Sequence, residues 1–345
     1  MQTDVVIIGQ GLAGTALAWQ LRWRGIPFLI IDRDEAVTTS RVAAGLMTPV
    51  TGQRLVPTSR LDEFWPAAVD FYKRVEAATS DVVFHQRGHV RLFSNEREVE
   101  RFRQRDLSDL PGIVGKIEPP LDPASFETSF GGFEMPRAAQ LSVVKYLDSS
   151  RTVFERDGCR WTCDLDPKAD VELTSDGVRL SRLDVTARRL VFCQGFAASR
   201  NPWLAHLKFD ATRGEILTIR VPGLAESRIV NRGVWLAPAG QLPTGQSELF
   251  RAGATYDWEQ LEAGPTEAGR EWICERLRRF LKLPFEVVDH SAAVRPILVG
   301  KQPVLGFLPN HPQIGVFNGL GSKGALQSPL LSAELAEHIA ELLSR

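Results

Sequence analysis

Two glycine clusters and one arginine carry the chemistry-bearing pattern of this chain. The first cluster is Gly9-Gln10-Gly11-Leu12-Ala13-Gly14. It follows an apolar run and opens an apolar-periodic one, the context in which this spacing receives a pyrophosphate. Gly9 permits a tight turn, Gly11 lets backbone approach the phosphates, and Gly14 lets helix and strand pack closely. The helix start then offers unpaired N–H groups and a partial positive charge. Asp32 ends the next apolar run, where a carboxylate can accept hydrogen bonds from an adenosine ribose. A 2′-phosphate there would meet repulsion of about 4 kcal/mol per charge pair at an effective dielectric of about 20. The pattern therefore predicts a dinucleotide without that phosphate. The second cluster, Phe317-Asn318-Gly319-Leu320-Gly321-Ser322-Lys323-Gly324-Ala325, also runs into a helical pattern and makes a second anion-friendly helix start. Arg295 stands before Pro296, which biases it to an extended conformation. A guanidinium can grip a carboxylate with two parallel hydrogen bonds.

Stepping along the chain, Asp4–Ile8 reads as a buried strand, Leu12–Arg24 as a helix and Phe28–Ile31 as a second strand, a βαβ start. Residues 35–60, with Ser40, Gly45, Pro49, Gly52 and Pro57, read as a long loop of the functional kind. Leu61–Ala78 is helical, its stripe of Phe64, Trp65, Ala68, Phe71, Tyr72 and Val75 reading as core packing. Val82–Phe84 and Val90–Phe93 read as strands, Glu96–Leu107 as a charged helix, and Pro119, Pro120 and Pro123 as a turn-rich connection. Ala138–Asp148 reads as a helix. Residues 151–193 read as short strands broken by Asp-Gly turns and ending in the buried strand Leu190–Cys193. Residues 213–254 alternate like an antiparallel sheet, Thr266–Leu281 is helical, and the last helix spans Gly324 to Leu343. This order predicts an α/β nucleotide domain (1–60, 137–205 and 290–345) interrupted by an antiparallel substrate domain (61–136 and 206–289).

A length of 345 residues suits about two domains. The net charge of −1 gives no electrostatic reason to expect nucleic acid or an anionic membrane as partner. No run of 18 apolar residues and no signal-peptide pattern is present, so the expectation is a cytoplasmic protein without a membrane span. Cys159, Cys163, Cys193 and Cys274 match no zinc spacing and read as reduced thiols, and the six histidines form no metal motif.

FAD rather than NAD follows from what comes after the second strand. Instead of another short βα unit, the chain runs into Ser40-Arg41-Val42-Ala43-Ala44-Gly45-Leu46-Met47-Thr48-Pro49, whose small residues let backbone approach a pyrophosphate and a flavin ring. The Gly319–Ala325 helix start, aimed at the flavin pyrimidine edge, would stabilise the reduced ring.

These segments resemble the FAD-dependent oxidoreductases of the D-amino-acid oxidase type, a group that includes glycine oxidase, sarcosine oxidase and the oxidase half of a tRNA-modifying enzyme. Val5–Asp32, Ser40–Gly52, Leu190–Ala197 and Ala293–Pro329 carry the resemblance, which covers essentially the whole chain. The stretch Gly319–Gly324 looks closest to the tRNA-modifying oxidase half. The resemblance implies an α/β fold: a Rossmann-type FAD-binding domain of the glutathione-reductase-like kind with an inserted antiparallel β-rich substrate domain. It implies FAD held by Gly9, Gly11, Leu12, Ala13, Gly14, Asp32 and Arg33 at the ADP end. Ala43, Ala44, Gly45 and Leu46 would lie along the pyrophosphate and flavin, and Val171 on the adenine side. Cys193, Gln194 and Gly195 would form a turn near the cofactor, with Gly319, Leu320, Gly321, Ser322, Lys323, Gly324 and Ala325 by the pyrimidine ring.

The chemistry so implied is oxidation of a C–N bond to an imine, with hydride passing to flavin and then to oxygen or another acceptor. Arg295 is the first candidate, for a substrate carboxylate, with Lys323 near the flavin or oxygen site and Tyr256 facing the substrate. Arg213-Gly214-Glu215 and Lys301 are weaker candidates, and no pattern supports His290 or His311 as proton acceptors. The expected partner is a small amine or amino acid, with the oligomeric state open. Two alternatives stand beside it: an oxidase of a modified nucleotide or tRNA, and an electron-transfer subunit without its own substrate.

Overall fold

A computed structural model describes residues 1–51, 56–105, 112–115, 117, 121–239 and 248–344. Gly52, Leu107, Pro119 and Pro120 lie outside the described residues.

The apolar run at the N-terminus forms the strand Gln2–Ile8, buried on both faces from Val5 on, as parallel central strands are. It pairs in parallel with Phe28–Asp32 on one side and Val185–Phe192 on the other. Val185–Phe192 pairs in parallel with His311–Asn318, so distant parts of the chain complete one sheet. Among the described residues this sheet has eight strands, with Arg160–Thr162 beyond Phe28–Asp32 and antiparallel additions at Val178–Leu180, Val171–Leu173 and Val304–Leu308. The helix Leu12–Trp23 crosses between the first two strands and buries ten consecutive residues, Leu12 to Leu21. It packs against the last helix, Gly324–Leu343, and both helix starts lie at the carboxyl ends of the parallel strands, where open α/β sheets bind ligands.

A second sheet of seven strands, nearly all antiparallel, runs in the order Glu286–Arg295, Thr212–Arg220, Leu249–Gly253, Val234–Pro238, Ile229–Arg232, His89–Leu92, Gly132–Met135. The helix Glu267–Arg278 covers its apolar side through Ile273, Cys274 and Leu277. Thr266 caps that helix, its Oγ1 accepting from the Gly269 N–H at 3.0 Å. The strand Glu286–Arg295 runs across residue 290, where the domain change was placed from the sequence.

Several local expectations are corrected. Ala139–Leu141 is a strand, not the start of a helix; it is held between Leu46–Met47 and Phe84–Gln86, and this cross-strand pairing overrides the local helical pattern. The helix begins at Val143 and runs to Arg156, and Gly158 with φ +70° ends it. The strand placed at Val82–Phe84 lies at Phe84–Gln86. Residues 35–60 hold a one-turn helix, Thr39–Val42, and short strands at Leu46–Met47, Val50–Thr51 and Val56–Pro57. The aromatic stripe of Leu61–Thr79 is core, as read: Phe64, Ala68, Phe71, Tyr72 and Val75 are buried.

One buried group gives this fold a pH dependence. His89 is 6% exposed, and neither ring nitrogen has a hydrogen-bond partner among the described residues. Burial, aided by the charge of Arg91, pulls its pKa down from 6.5 to about 3. Between those values the unfolded chain binds the extra proton, so stability rises with pH there and is lost as pH falls below about 6.5. The loss from this one group is roughly 1.4 kcal/mol per pH unit. His89→Leu is expected to flatten that slope in urea unfolding at a series of pH values while changing stability little at neutral pH. An unchanged slope would show that the ring takes up its proton in the folded state.

Candidate active site

One cavity of about 1070 Å³ runs along the carboxyl ends of the parallel strands and reaches the edge of the antiparallel sheet. The turn Gly9–Ala13 forms part of its floor. Gly9 has φ +106°, and a Cβ there would stand 2.6 Å from the Cys193 carbonyl oxygen. A Cβ on Gly14 would stand 1.9 Å from the Gly9 carbonyl oxygen, so Gly14 serves the helix–strand contact and does not line the cavity. The first turn of Leu12–Trp23 carries no acidic residue, and its Leu12 N–H donates to Ser40 Oγ at 3.0 Å.

Asp32 lines the cavity with its carboxylate already oriented. Oδ2 accepts from the Gln10 N–H at 2.6 Å and Oδ1 from the Asp34 N–H at 2.8 Å, which leaves further lone pairs for a ligand. Arg33 also lines the cavity but pairs with Glu35 at 2.8 Å. Asp34 is held by Arg160, Arg151 and Thr162. Burial raises its pKa, but the hydrogen bonds of Thr162 and Arg160 and the charges of both arginines outweigh it, so the net shift is downward. Val171 is a correction: it is buried among Leu165, Val178 and Leu180 in the sheet core and does not reach the cavity, whose wall here is Cys163–Leu165 and Pro167.

Ala43, Ala44, Gly45 and Leu46 line the middle. Gly45 has φ +72°, and a Cβ on it would overlap the Leu141 carbonyl oxygen at 2.0 Å. From the opposite side come Gly195 with its neighbours Cys193 and Gln194, and Gly319, Leu320, Gly321, Ser322, Gly324 and Ala325. The Asn318 side chain joins these two turns, donating from Nδ2 to the Gly195 carbonyl at 2.8 Å and accepting from the Gly319 N–H at 2.7 Å. Tyr72 fixes the helix start, its hydroxyl donating to the Ala325 carbonyl at 2.7 Å. Lys323 is a second correction: its side chain does not line the cavity but turns to Thr58 Oγ1 at 3.4 Å, and burial lowers its pKa. It is the N-cap of the last helix, and its neighbours Ser322 and Gly324 line the cavity.

Arg295 stands at the far end of the cavity, on the last residue of Glu286–Arg295. Its Nη1 donates to Thr212 Oγ1 at 3.1 Å and to the Thr255 carbonyl at 3.2 Å. The guanidinium carbon lies 4.4 Å from the Tyr256 ring centroid. A Cβ on Gly214 would overlap the guanidinium at 2.0 Å, so only glycine at that position leaves room for it. Burial lowers the pKa of Arg295, partly opposed by Tyr256, yet a guanidinium so placed stays charged. Tyr256 lines the cavity, is 55% exposed, and stacks with Trp258.

Arg213 and Glu215 flank Gly214 but point away from the cavity. They form a buried network: Arg213 with Glu215 at 3.1 Å and Asp257 at 2.8 Å, Glu215 with Thr266 at 2.9 Å, and His290 Nε2 at 2.8 Å from Glu215. Their place is structural, tying the Thr255–Gly264 loop to the sheet. His311 packs on Trp203, and neither it nor Lys301 lines the cavity. Sequence reasoning missed Ile216 and Trp235 as cavity residues, because separate strands far along the chain from the glycine clusters bring them there, and it passed over Gln10 and Ser40, which stand inside the two segments it singled out. For Ser40 a signal existed: it opens the small-residue loop.

The cradle fits an extended dinucleotide. Its glycine turn has no space for side chains, two helix starts border it, and it is continuous from Asp32 to Arg295.

Comparison with known proteins agrees. Residues 4–338 match the family model of the FAD dependent oxidoreductases. The chain is 25% identical to the tRNA 5-methylaminomethyl-2-thiouridine biosynthesis bifunctional protein MnmC of Marinobacter nauticus, over 98% of this chain and 55% of that protein. It thus spans about half the length of that curated relative. In structure it resembles glycine oxidase from Bacillus cereus, with a TM-score of 0.79 and 19% identity, covering 98% of this chain and 97% of that one. It also resembles iminodiacetate oxidase from Chelativorans sp. BNC1, with a TM-score of 0.78 and 17% identity, covering 98% and 95%. The structural likenesses speak to fold, and the match to the family model over nearly the whole chain decides the family: the chain is a flavoprotein enzyme and belongs to the FAD dependent oxidoreductase family.

Proposed function

We propose that this protein oxidises the amine of a small, carboxylate-bearing amine or amino acid. The observation that carries the reading is Arg295, a cation at the end of the cofactor-sized cavity whose Nε and Nη2 have no partner among the described residues. In this reading Gly9, Gly11, Leu12 and Ala13 face the pyrophosphate and Asp32 the ribose. Ala43–Leu46 and Gly319–Ser322, with Gly324 and Ala325, then face the ring. In the same reading residues 1–60, 137–205 and 290–345 supply most of the cofactor domain and residues 61–136 and 206–289 most of the substrate domain, while the helix Leu61–Thr79 packs on the cofactor side and the strand Glu286–Arg295 belongs to the antiparallel sheet. FAD held there would supply the hydride acceptor for oxidation of the carbon that bears the amine.

The chain's own task is positioning. Arg295 grips the carboxylate through its free donors while Thr212 and the Thr255 carbonyl hold the guanidinium still. Its positive charge also favours the neutral form of a nearby amine, the form that gives up hydride. The Tyr256 ring limits the space over the guanidinium. The relatives named above, an iminodiacetate oxidase and a glycine oxidase, support this class of substrate.

A second reading rests on the MnmC relative: the amine is carried by a tRNA nucleoside. One experiment separates the readings. FAD-loaded protein is mixed anaerobically with glycine, sarcosine, D-amino acids, proline, 2-hydroxy acids and unmodified or modified tRNA, and loss of visible flavin absorbance is followed. Bleaching by a free amino acid supports the first reading, and bleaching by modified tRNA alone supports the second. Bleaching only by 2-hydroxy acids refutes amine oxidation, and no bleaching at all favours an electron-transfer subunit.

A further inference from the structure

Arg251 sits in the strand Leu249–Gly253 of the antiparallel sheet, paired with Thr218 on one side and Ala237 on the other. Its side chain leaves that sheet and crosses to the cofactor side. Nη1 donates to the Ala43 carbonyl at 2.9 Å and Nη2 to the Val42 carbonyl at 2.5 Å. These carbonyls end the one-turn helix Thr39–Val42, where unpaired C=O groups attract a cation. The next residues, Ala43 to Leu46, form the cavity wall.

Two further side chains join the same segment to the antiparallel side. Thr39 Oγ1 donates to the Val294 carbonyl at 2.6 Å. Gln140 Nε2 reaches both the Ala44 carbonyl at 3.4 Å and the Pro238 carbonyl at 3.0 Å. The wall is thus set by a sheet to which it does not belong.

The Asp289 carboxylate acts on the charge of Arg251 through space but makes no ion pair with it. Both hydrogen-bond acceptors of Arg251 are neutral, and it makes no ion pair among the described residues. A largely buried cation without an ion-pair partner is costly, and it is tolerated where negative charge develops nearby.

We propose that Arg251 is a positioning residue of the FAD site, setting the Ala43–Leu46 wall through the carbonyls of Val42 and Ala43 and biasing the bound cofactor toward its reduced form by its unpaired charge. The assignment rests on FAD occupying the cavity described above, and FAD binding is therefore measured separately from potential. Arg251→Met is compared with Arg251→Lys, Arg251→Gln and a control, Arg220→Met. Arg220 lies on the adjacent strand and pairs with Glu286 at the surface.

FAD affinity, visible spectrum and midpoint potential of each holoenzyme are the readouts. Arg251→Met is expected to weaken FAD about tenfold and to lower the two-electron potential by about 30 mV, the equivalent of a tenfold shift. Arg251→Lys restores the potential but only part of the affinity, because an ammonium cannot span both carbonyls. Arg220→Met changes neither. If Arg251→Met does not fold, Arg251→Lys and Arg251→Gln decide the matter, since equal potentials in those two overturn the charge assignment. A wild-type potential and spectrum in Arg251→Met, with only thermal stability reduced, would overturn the proposal as a whole. Failure of the wild-type protein to bind FAD would instead refute the assignment of the cavity.

Discussion

Gly9→Ala is expected to leave a protein that folds but binds FAD far more weakly. The backbone at position 9 has φ +106°, a region that costs a residue with a Cβ roughly 1–3 kcal/mol. The added carbon would stand 2.6 Å from the Cys193 carbonyl oxygen, a backbone atom of the neighbouring parallel strand's end that cannot rotate away. The turn must then move off that strand, and the Leu12 helix start moves with it. A loss of about 3 kcal/mol in binding corresponds to a roughly 100-fold weaker FAD affinity. Gly11→Ala is the milder companion. Its backbone is at an ordinary φ of −80°, and the contact is with Ser40 Oγ at 2.8 Å, a side chain that can turn. Equilibrium FAD titration, with circular dichroism to confirm the fold, orders the three proteins. Equal FAD affinity in Gly9→Ala and wild type would remove this turn from the cofactor site.

The second large effect is expected at Arg295. Arg295→Met should lower kcat/KM for a carboxylate-bearing amine by about 10²–10⁴, from two lost charge-assisted hydrogen bonds worth about 1.5–3 kcal/mol each. The fold should survive, because the residue lies at a strand end and its own anchors are Thr212 Oγ1 and one carbonyl. Arg295→Lys should recover only part of the loss, since an ammonium has no fork to offer a carboxylate. FAD binding should be unchanged in both variants. If an amine without a carboxylate suffers the same loss, Arg295 acts through structure and not through substrate charge.

These two residues were legible in the sequence for different reasons. The Gly9–Asp32 pattern is local, since one turn, one helix and one strand end define it, and each glycine's steric demand is visible in its spacing. Arg295 was legible only through the Arg-Pro step together with the resemblance. Arg251 was invisible because it sits in an ordinary alternating strand, and its partners, Val42 and Ala43, are some two hundred residues away. The same holds for Ala139–Leu141, whose strand state comes from two pairings outside its own window. Val171 and Lys323 were assigned to the cofactor by position along the chain, while the direction of a side chain is set by packing: Val171 turns into a sheet core and Lys323 toward Thr58.

The order of elements carried most of the fold, because the buried N-terminal strand and the strand that leads into the glycine-led last helix belong to one sheet. The substrate side carried less. Of its cavity residues, Gly214 and Ile216 share one face of the strand Thr212–Arg220, but Trp235 and Tyr256 come from another strand and a loop that no spacing links to them.

The most direct test compares two amines that differ only in their carboxylate, such as sarcosine and dimethylamine, in anaerobic reduction of the FAD-loaded wild-type protein. The account predicts that the carboxylate-bearing member of such a pair bleaches the flavin at least about 100-fold faster, the equivalent of roughly 3 kcal/mol from Arg295. Equal rates for the two members, across a set of such pairs, would contradict it.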